Sequence, residues 1–287
     1  MINGLVSIGL PVFNGENFLD KTLKCIISQT FENMEIIISD NDSTDKTGEI
    51  CKDYAAKDKR IVYSRNKENL GASWNYNTVF DRSKGEYFKW AAHDDLFSLN
   101  FIEECVEILK SEQSCPLCHS KVLEIDEREH VIKKYPSCKG FSNKDAAKRF
   151  FECICKPHSQ SAVFGVFRTS VLSKTRLIGN YSSSDRTLLG EVALRGPIIE
   201  IPKYLFFKRS HPSQHYKIYT SKHSRYLWYD PRNNSRFVFP HWRLLKEHLV
   251  SIQRVPFEIP QKILCLLISI WWMRKNHRGL IANLFYY

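Results

Sequence analysis

Apolar positions in the first half of the chain fall into short runs separated by stretches of helical spacing. Residues 5–11 form an apolar run that stops at Pro11, and Asn14-Gly15 behind it is a turn signal. Phe18, Leu19, Leu23, Ile26 and Ile27 then recur at helical spacing. Residues 34–39 (MEIIIS) are β-branched and predict a buried strand. The polar loop 40–45 (DNDSTD) follows and supplies caps for a helix with Ile50 and Tyr54 on one face. Residues 61–64 predict a third strand, and a loop with Asn69 and Gly71 leads into a helix over 73–80. Residues 86–92 (EYFKWAA) predict a fourth strand, ending in His93-Asp94-Asp95. Ser98 is the expected cap of a helix carrying Phe101, Ile102, Cys105, Val106 and Leu109.

Strands alternating with helices imply an α/β fold with a mostly parallel sheet, which binds ligands at the carboxyl ends of its strands. The polar clusters after strands one, two and four therefore point to one crevice. From about residue 115 the pattern is mixed. A hairpin is predicted through 122–132, a strand over 161–168 (SAVFGVFR), a helix over 185–196 stopped by a glycine, and a strand over 198–207. Beyond 215 the chain is aromatic and basic, with two helical patterns at 241–253 and 261–273.

Composition changes this picture in two ways. With 43% hydrophobic residues and no low-complexity block, the 287 residues can bury a sizeable core. The 42 Lys plus Arg against 31 Asp plus Glu leave a formal charge of +11. That balance suits nucleic acid, an anionic membrane surface or phosphorylated small molecules, or simply serves solubility, and charge alone does not choose. Nine cysteines, an odd count, with no charged and apolar leader in residues 1–10, lead us to expect reduced thiols in a cytoplasmic protein. Cys115 and Cys118 are followed at once by His119, but Cys153 and Cys155 lack the spacing of a second zinc pair, so a structural zinc built on these pairs is not expected.

Four segments, in order, carry a specific resemblance. They are VSIGLPVFNGENFLDKTL (6–23), IIISDNDSTDKT (36–47), NLGASWNYN (69–77) and GEYFKWAAHDD (85–95). Together they resemble family-2 glycosyltransferases over roughly the first 210 residues. The resemblance implies a GT-A nucleotide-binding fold and sugar transfer with inversion at the anomeric carbon. It also implies a division into a transferase domain over 1–214 (donor-binding half about 1–115, acceptor half about 116–214) and a helical, basic C-terminal extension over 215–287.

The residues support this chemistry physically. A nucleoside diphosphate leaves poorly unless its growing charge is neutralised, and hard oxygen ligands hold the Mg²⁺ or Mn²⁺ that does so. By the resemblance, Asp95 is the metal ligand and Asp94 the ribose or outer contact with a share in the metal. Many relatives carry a further Asp where this chain has Ala92. A helix-start acidic pair would explain Asp94 and Asp95 without a metal. The resemblance makes Asp40 the acceptor for the nucleotide base, with a lean to uridine, although Asp42, Ser43 and Asp45 beside it suit an ordinary turn. Phe13 is placed to pack on the base, Pro11 and Glu16 to shape the base and ribose pocket, and Asn69 with Gly71 to let the backbone approach the nucleotide. Phe13 has a plain alternative as a core aromatic, and Asn69 with Gly71 as a left-handed turn.

An acceptor hydroxyl loses its proton as it attacks, and a nearby carboxylate serves as base. Asp185 in YSSSDRTLLGEVALRG (181–196) matches the family's catalytic position; helix capping is its alternative, and Glu191 is expected to face outward. Lys208, Arg209 and His211 are placed to grip the diphosphate or to complete the metal shell. The apolar run 263–273, ending at Trp271 and Trp272 and followed by Arg274, Lys275 and Arg278, is too short to span a bilayer but suits its interface, or else packs on the domain.

The loop FNGEN after strand one lacks the glycines of a dinucleotide oxidoreductase and the basic residues of a sugar-nucleotide pyrophosphorylase. A catalytically decayed sugar-nucleotide-binding protein stays open as an alternative. The expected partners are a nucleotide-sugar donor and a lipid-linked or saccharide acceptor in bacterial surface polysaccharide assembly; no nucleic acid is expected, and the inner face of the plasma membrane and a homodimer are left open.

Overall fold

The computed structural model describes residues 1–138, 140–233 and 239–285. The first half alternates as the pattern predicts: β1 (Ile2–Val12), α1 (Leu19–Ile27), β2 (Met34–Asp40), α2 (Thr47–Lys57), β3 (Ile61–Arg65), α3 (Ala72–Asp81) and β4 (Gly85–Trp90). Then come β5 (Leu96–Phe97), α4 (Phe101–Ser111), β6 (Leu117–Ile125), β7 (Val131–Lys134), α5 (Ala146–Cys155), β8 (Val166–Arg168), α6 (Thr169–Leu172), α7 (Ser184–Arg195) and β9 (Ile198–Arg209). The remainder is helical: α8 (His215–Ile218), α9 (Lys222–Tyr229), α10 (Pro240–Gln253), α11 (Ile259–Lys275) and α12 (His277–Phe285).

One sheet runs through the molecule in the order β3-β2-β1-β4-β8-β6-β9-β5, with β7 paired to β6. β3, β2, β1 and β4 are mutually parallel, β6 and β9 are parallel, and β8 joins the two sets antiparallel to both β4 and β6. Pro11 is tolerated inside β1 because the pairing with β4 ends at Gly9 and Trp90, so its missing N–H costs no ladder bond there.

The period-2 alternation of the strands sorts side chains onto two faces. Val6, Ile8, Leu10 and Val12 of β1 join Ile36 and Ile38 of β2 under α1 and α4. Phe88 and Trp90 of β4 and Ile37 of β2 face the opposite core, which α3, α5 and α7 cover and to which Ile252, Cys265 and Trp272 of α10 and α11 contribute.

Three local expectations are corrected. Residues 161–168 are not one strand: Gln160–Phe164 is a 3-10 turn, started by the Ser159 hydroxyl accepting from the Ser161 N–H, and only Val166–Arg168 pairs in the sheet. Ser98 does not cap α4, whose N-cap is Asn100; the Ser98 carbonyl accepts from the Phe101 N–H instead. Glu191 does not face outward. It is buried, with its carboxylate 3.0 Å from both Arg195 and Arg254. A buried carboxylate held by two guanidiniums is structural, and its removal strands those cations. Glu191→Ala should therefore cost about 3 kcal/mol of stability in chemical denaturation, while turnover per folded molecule stays near that of the parent.

Candidate active site

The loops after β1, β2, β3 and β4 lie at the carboxyl ends of parallel strands and are tied to one another. The Asn14 N–H donates to Ser43 Oγ, the Gly15 N–H to Thr47 Oγ1 and the Lys46 N–H to Glu16 Oε2. Gly15 is needed where it stands, because a Cβ there would meet the His93 ring and Val12 at 2.8 Å. Asn41 fastens the third loop: its Nδ2 donates to Asn69 Oδ1, and its Oδ1 accepts from Asn66 Nδ2 and the Leu70 N–H.

The turn after β4 carries the acidic pair. Thr22 of α1 holds it from below, its hydroxyl within 3.1 Å of the carbonyls of His93 and Asp95. Asp95 Oδ1 accepts the Arg209 N–H at 2.8 Å, and Asp94 Oδ2 lies 2.9 Å from His211 Nε2. Burial and the neighbouring Asp94 charge raise the Asp95 pKa. Burial acts on Asp94 in the same direction, but the His211 hydrogen bond and the nearby imidazoles outweigh it and the net shift is downward. Two adjacent buried carboxylates, one of which resists ionisation, form a set that a hard divalent cation completes. Asp95 Oδ2 takes no hydrogen bond among the described residues, so the donor set fits Mn²⁺ or Mg²⁺. Below the pair, Lys89 is fully buried, its ammonium 4.5 Å from the Phe97 ring centre and 4.7 Å from that of Phe101. Burial lowers its pKa to about 8.

Asp185 sits in the first turn of α7, one residue past the helix start. It is not the N-cap. That position is Ser183, in the left-handed region at φ 66° with no side-chain cap. Asp185 Oδ1 accepts the Arg186 N–H at 2.8 Å, and burial raises the Asp185 pKa despite that bond. Two tyrosines feel its charge. The charges of Asp94, Asp95 and Asp185, added to burial, all raise the Tyr76 phenol, and Asp185 likewise acts on Tyr229 of α9. Tyr229 is held over the third loop, where its carbonyl accepts from Ser73 Oγ at 2.9 Å. Gly71, at φ 87°, admits this contact, since a Cβ would lie 2.4 Å from that carbonyl oxygen.

Residues 7–175 match the family described as Glycosyl transferase family 2. The chain belongs to that family. Among curated relatives, Glycosyltransferase GlyA of Streptococcus pneumoniae serotype 4 is 37% identical over 103 residues, 36% of this chain and 15% of that protein. An uncharacterized glycosyltransferase of Rickettsia typhi is 35% identical over 129 residues, so the chain spans 39% of that relative's length and 45% of its own. One from Haemophilus influenzae is 28% identical over 220 residues, 75% of this chain and 68% of the relative. Among solved structures, S. aureus TarS 1-349 in complex with UDP-GlcNAc superposes with a TM-score of 0.69 at 15% identity, over 98% of this chain and 79% of that one. The mannosyltransferase PcManGT from Pyrobaculum calidifontis, in complex with GDP-Man and Mn2+, gives 0.59 at 13%, over 98% and 72%. These likenesses establish the GT-A type of fold.

Within that family frame, the structure sets His211 against Asp94, next to Asp95 in the same turn, and leaves Phe13 exposed. Pro11 is buried near the end of β1, and Glu16 and Asn69 serve the loop ties described above. Asp40 is fully buried at the end of β2, accepting the Ser43 N–H and the Tyr63 hydroxyl. One expectation is corrected. Arg209 is also fully buried; its guanidinium donates to the carbonyls of Asp94, Asp126 and Glu127 and meets Glu129. It braces the site rather than gripping a diphosphate. Three residues were missed. Phe18 lies 4.6 Å from the His211 ring and 5.0 Å from the Arg209 guanidinium, although its spacing reads as an ordinary helix position. Lys89 carried a usable signal, a lone cation in an apolar strand. Asn41 sat unremarked among the acids of its loop.

Proposed function

We propose that the protein transfers a sugar from a nucleotide-diphospho-sugar, UDP-linked by preference, to an acceptor hydroxyl with inversion at the anomeric carbon. The observation that carries this reading is the buried acidic pair at the carboxyl end of β4, with Asp95 accepting the Arg209 N–H and Asp94 set against His211. A Mn²⁺ or Mg²⁺ ion held by Asp95 and Asp94, with His211 beside them, would neutralise charge on the diphosphate. His211 and Arg209 orient the acidic pair, and Asp185 takes the proton of the attacking hydroxyl. Solved neighbours of the same fold hold UDP-GlcNAc or GDP-Man with Mn2+. The test is a sugar-nucleotide panel read by thermal shift and by donor hydrolysis with Mn²⁺. Linkage raises stability as RT ln(1 + [L]/Kd). A UDP-sugar should give the largest shift; no shift and no hydrolysis with any member would refute the reading, and a shift without hydrolysis would favour a decayed binder.

The acceptor we propose is lipid-linked or saccharide, in bacterial surface polysaccharide assembly, with the enzyme seated on the membrane's inner face. Support comes from α11. Its Cys265, Ser269 and Trp272 pack into the core, while Ile263, Leu264, Leu267, Ile270 and Trp271 are exposed. The two tryptophans expected to act together thus part: Trp271 is 43% exposed and Trp272 only 6%. No described helix is long and apolar enough to cross a membrane. The exposed stripe with Arg274 and Arg278 beyond it suits a headgroup boundary. Because α11 is half core, substitution tests it better than truncation. The double variant Leu267→Glu, Ile270→Glu should abolish co-sedimentation with anionic liposomes at low salt and leave donor hydrolysis unchanged. If the parent chain itself stays in the supernatant, membrane seating is wrong.

A further inference from the structure

We infer that His119, Cys138 and Glu200 form a second divalent-cation site, of the zinc class, separate from the acidic pair. His119 of β6 and Glu200 of β9 are register partners on neighbouring parallel strands, which sets their side chains on the same face about 5 Å apart. Cys138 comes from the segment between β7 and α5 and lies over them, its N–H donating to Glu200 Oε2 at 3.0 Å. A ring nitrogen of His119, the Cys138 Sγ and a Glu200 carboxylate oxygen all lie within 4.8 Å of one another. Ligands on a tetrahedral zinc, with bonds of about 2.0–2.3 Å, sit roughly 3.5 Å apart, so small side-chain rotations close the set.

An independent observation comes from the histidine. His119 is 3% exposed; its Nδ1 lies 3.1 Å from the Ser120 carbonyl, while its Nε2 is buried with no hydrogen-bond partner. A buried polar atom left unpaired is costly and calls for a partner. The Nδ1 contact is the one by which ligating histidines fix their tautomer: the N–H donates to a carbonyl, and the lone pair of Nε2 is free for a metal. One sulfur, one imidazole and one carboxylate favour zinc over Mg²⁺ or Mn²⁺, with water as the fourth ligand. The three residues escape a search for paired cysteines, because only register and a loop crossing bring them together. The site is roughly 30 Å along β9 from Arg209, too far to serve the acidic pair. A bound cation would pin the segment before α5 to the sheet.

The test uses the full chain, stripped with chelator and titrated with Co²⁺ and then Zn²⁺. Cobalt should give a near-ultraviolet thiolate charge-transfer band and tetrahedral visible bands, both displaced by one equivalent of zinc. The Asp95→Asn variant should keep this signal, since a site without sulfur gives no thiolate band. His119→Gln and the nearly isosteric Cys138→Ser should each weaken zinc by more than the roughly 10–100-fold that losing an outer-shell partner costs, with circular dichroism confirming the fold. The absence of a thiolate band in the parent chain overturns the site, as does zinc binding unchanged in Cys138→Ser. Either result would leave the Cys138–Glu200 contact as a plain hydrogen bond beside a dry core histidine.

Discussion

Asp95→Ala should lower donor turnover by at least about 10³-fold, in line with the loss of a principal electrostatic stabiliser, and should leave circular dichroism unchanged. The argument rests on what the carboxylate faces. One oxygen receives the Arg209 N–H and the other takes no hydrogen bond among the described residues, in a buried setting beside a second carboxylate. Excess EDTA should reproduce the loss in the parent chain, and full activity in EDTA would remove the metal from the proposal. The same residue predicts a stability profile. Its folded pKa lies above the ordinary 3.8 because of burial and Asp94. Over the window upward from 3.8 the folded state therefore binds more protons than the unfolded chain, and stability must fall as pH rises. Asp94 is shifted the other way, so its contribution is lost only as pH falls below the ordinary carboxylate range. Thermal melts of the metal-free protein should thus decline from mildly acidic to neutral pH. Asp95→Asn should flatten that decline, and Mn²⁺ should offset it in the parent. A flat metal-free profile in the parent would show that the pair is not under the strain described.

The parallel half of the fold was legible because its strands are buried on both faces and read as continuous apolar runs, with polar loops at their ends. Reading which loops converge needed only the rule that parallel strands share a carboxyl edge. What a run of residues does not reveal is which way each side chain at a strand end turns. Adjacent positions point to opposite faces, so in Asp40-Asn41 the pattern could not say that the acid would go inward to Tyr63 and the amide toward Asn69. Arg209 is the same case from another cause. Its basic, post-strand context suits a phosphate contact, and only the folded turns after β4 and between β6 and β7 supply the carbonyls that consume its donors. Residues 161–168 failed because a short apolar run does not separate a strand from a tight helical turn. Tyr229 lay beyond reach for a different reason: its place over Gly71 is a contact between segments far apart in the chain.

Asp185→Asn should lower kcat by roughly 10²-fold or more, the usual contribution of a general base, with donor affinity nearly unchanged. Asparagine keeps the size and can still accept the Arg186 N–H, so the first turn of α7 should hold. What it loses is the ability to take a proton. Burial raises the Asp185 pKa, which makes its anion a stronger base than a solvated aspartate. The pH profile follows with a definite sign. In the parent, kcat should rise with pH along an acid limb whose midpoint lies above the ordinary carboxylate value of 3.8, and in Asp185→Asn that limb should vanish. Residual turnover without the limb would mark Asp185 as the base, whereas a reduced rate with the limb intact would make it a positioning residue. Near-parent turnover would move the role elsewhere, and not to Glu191, whose carboxylate is already held between Arg195 and Arg254.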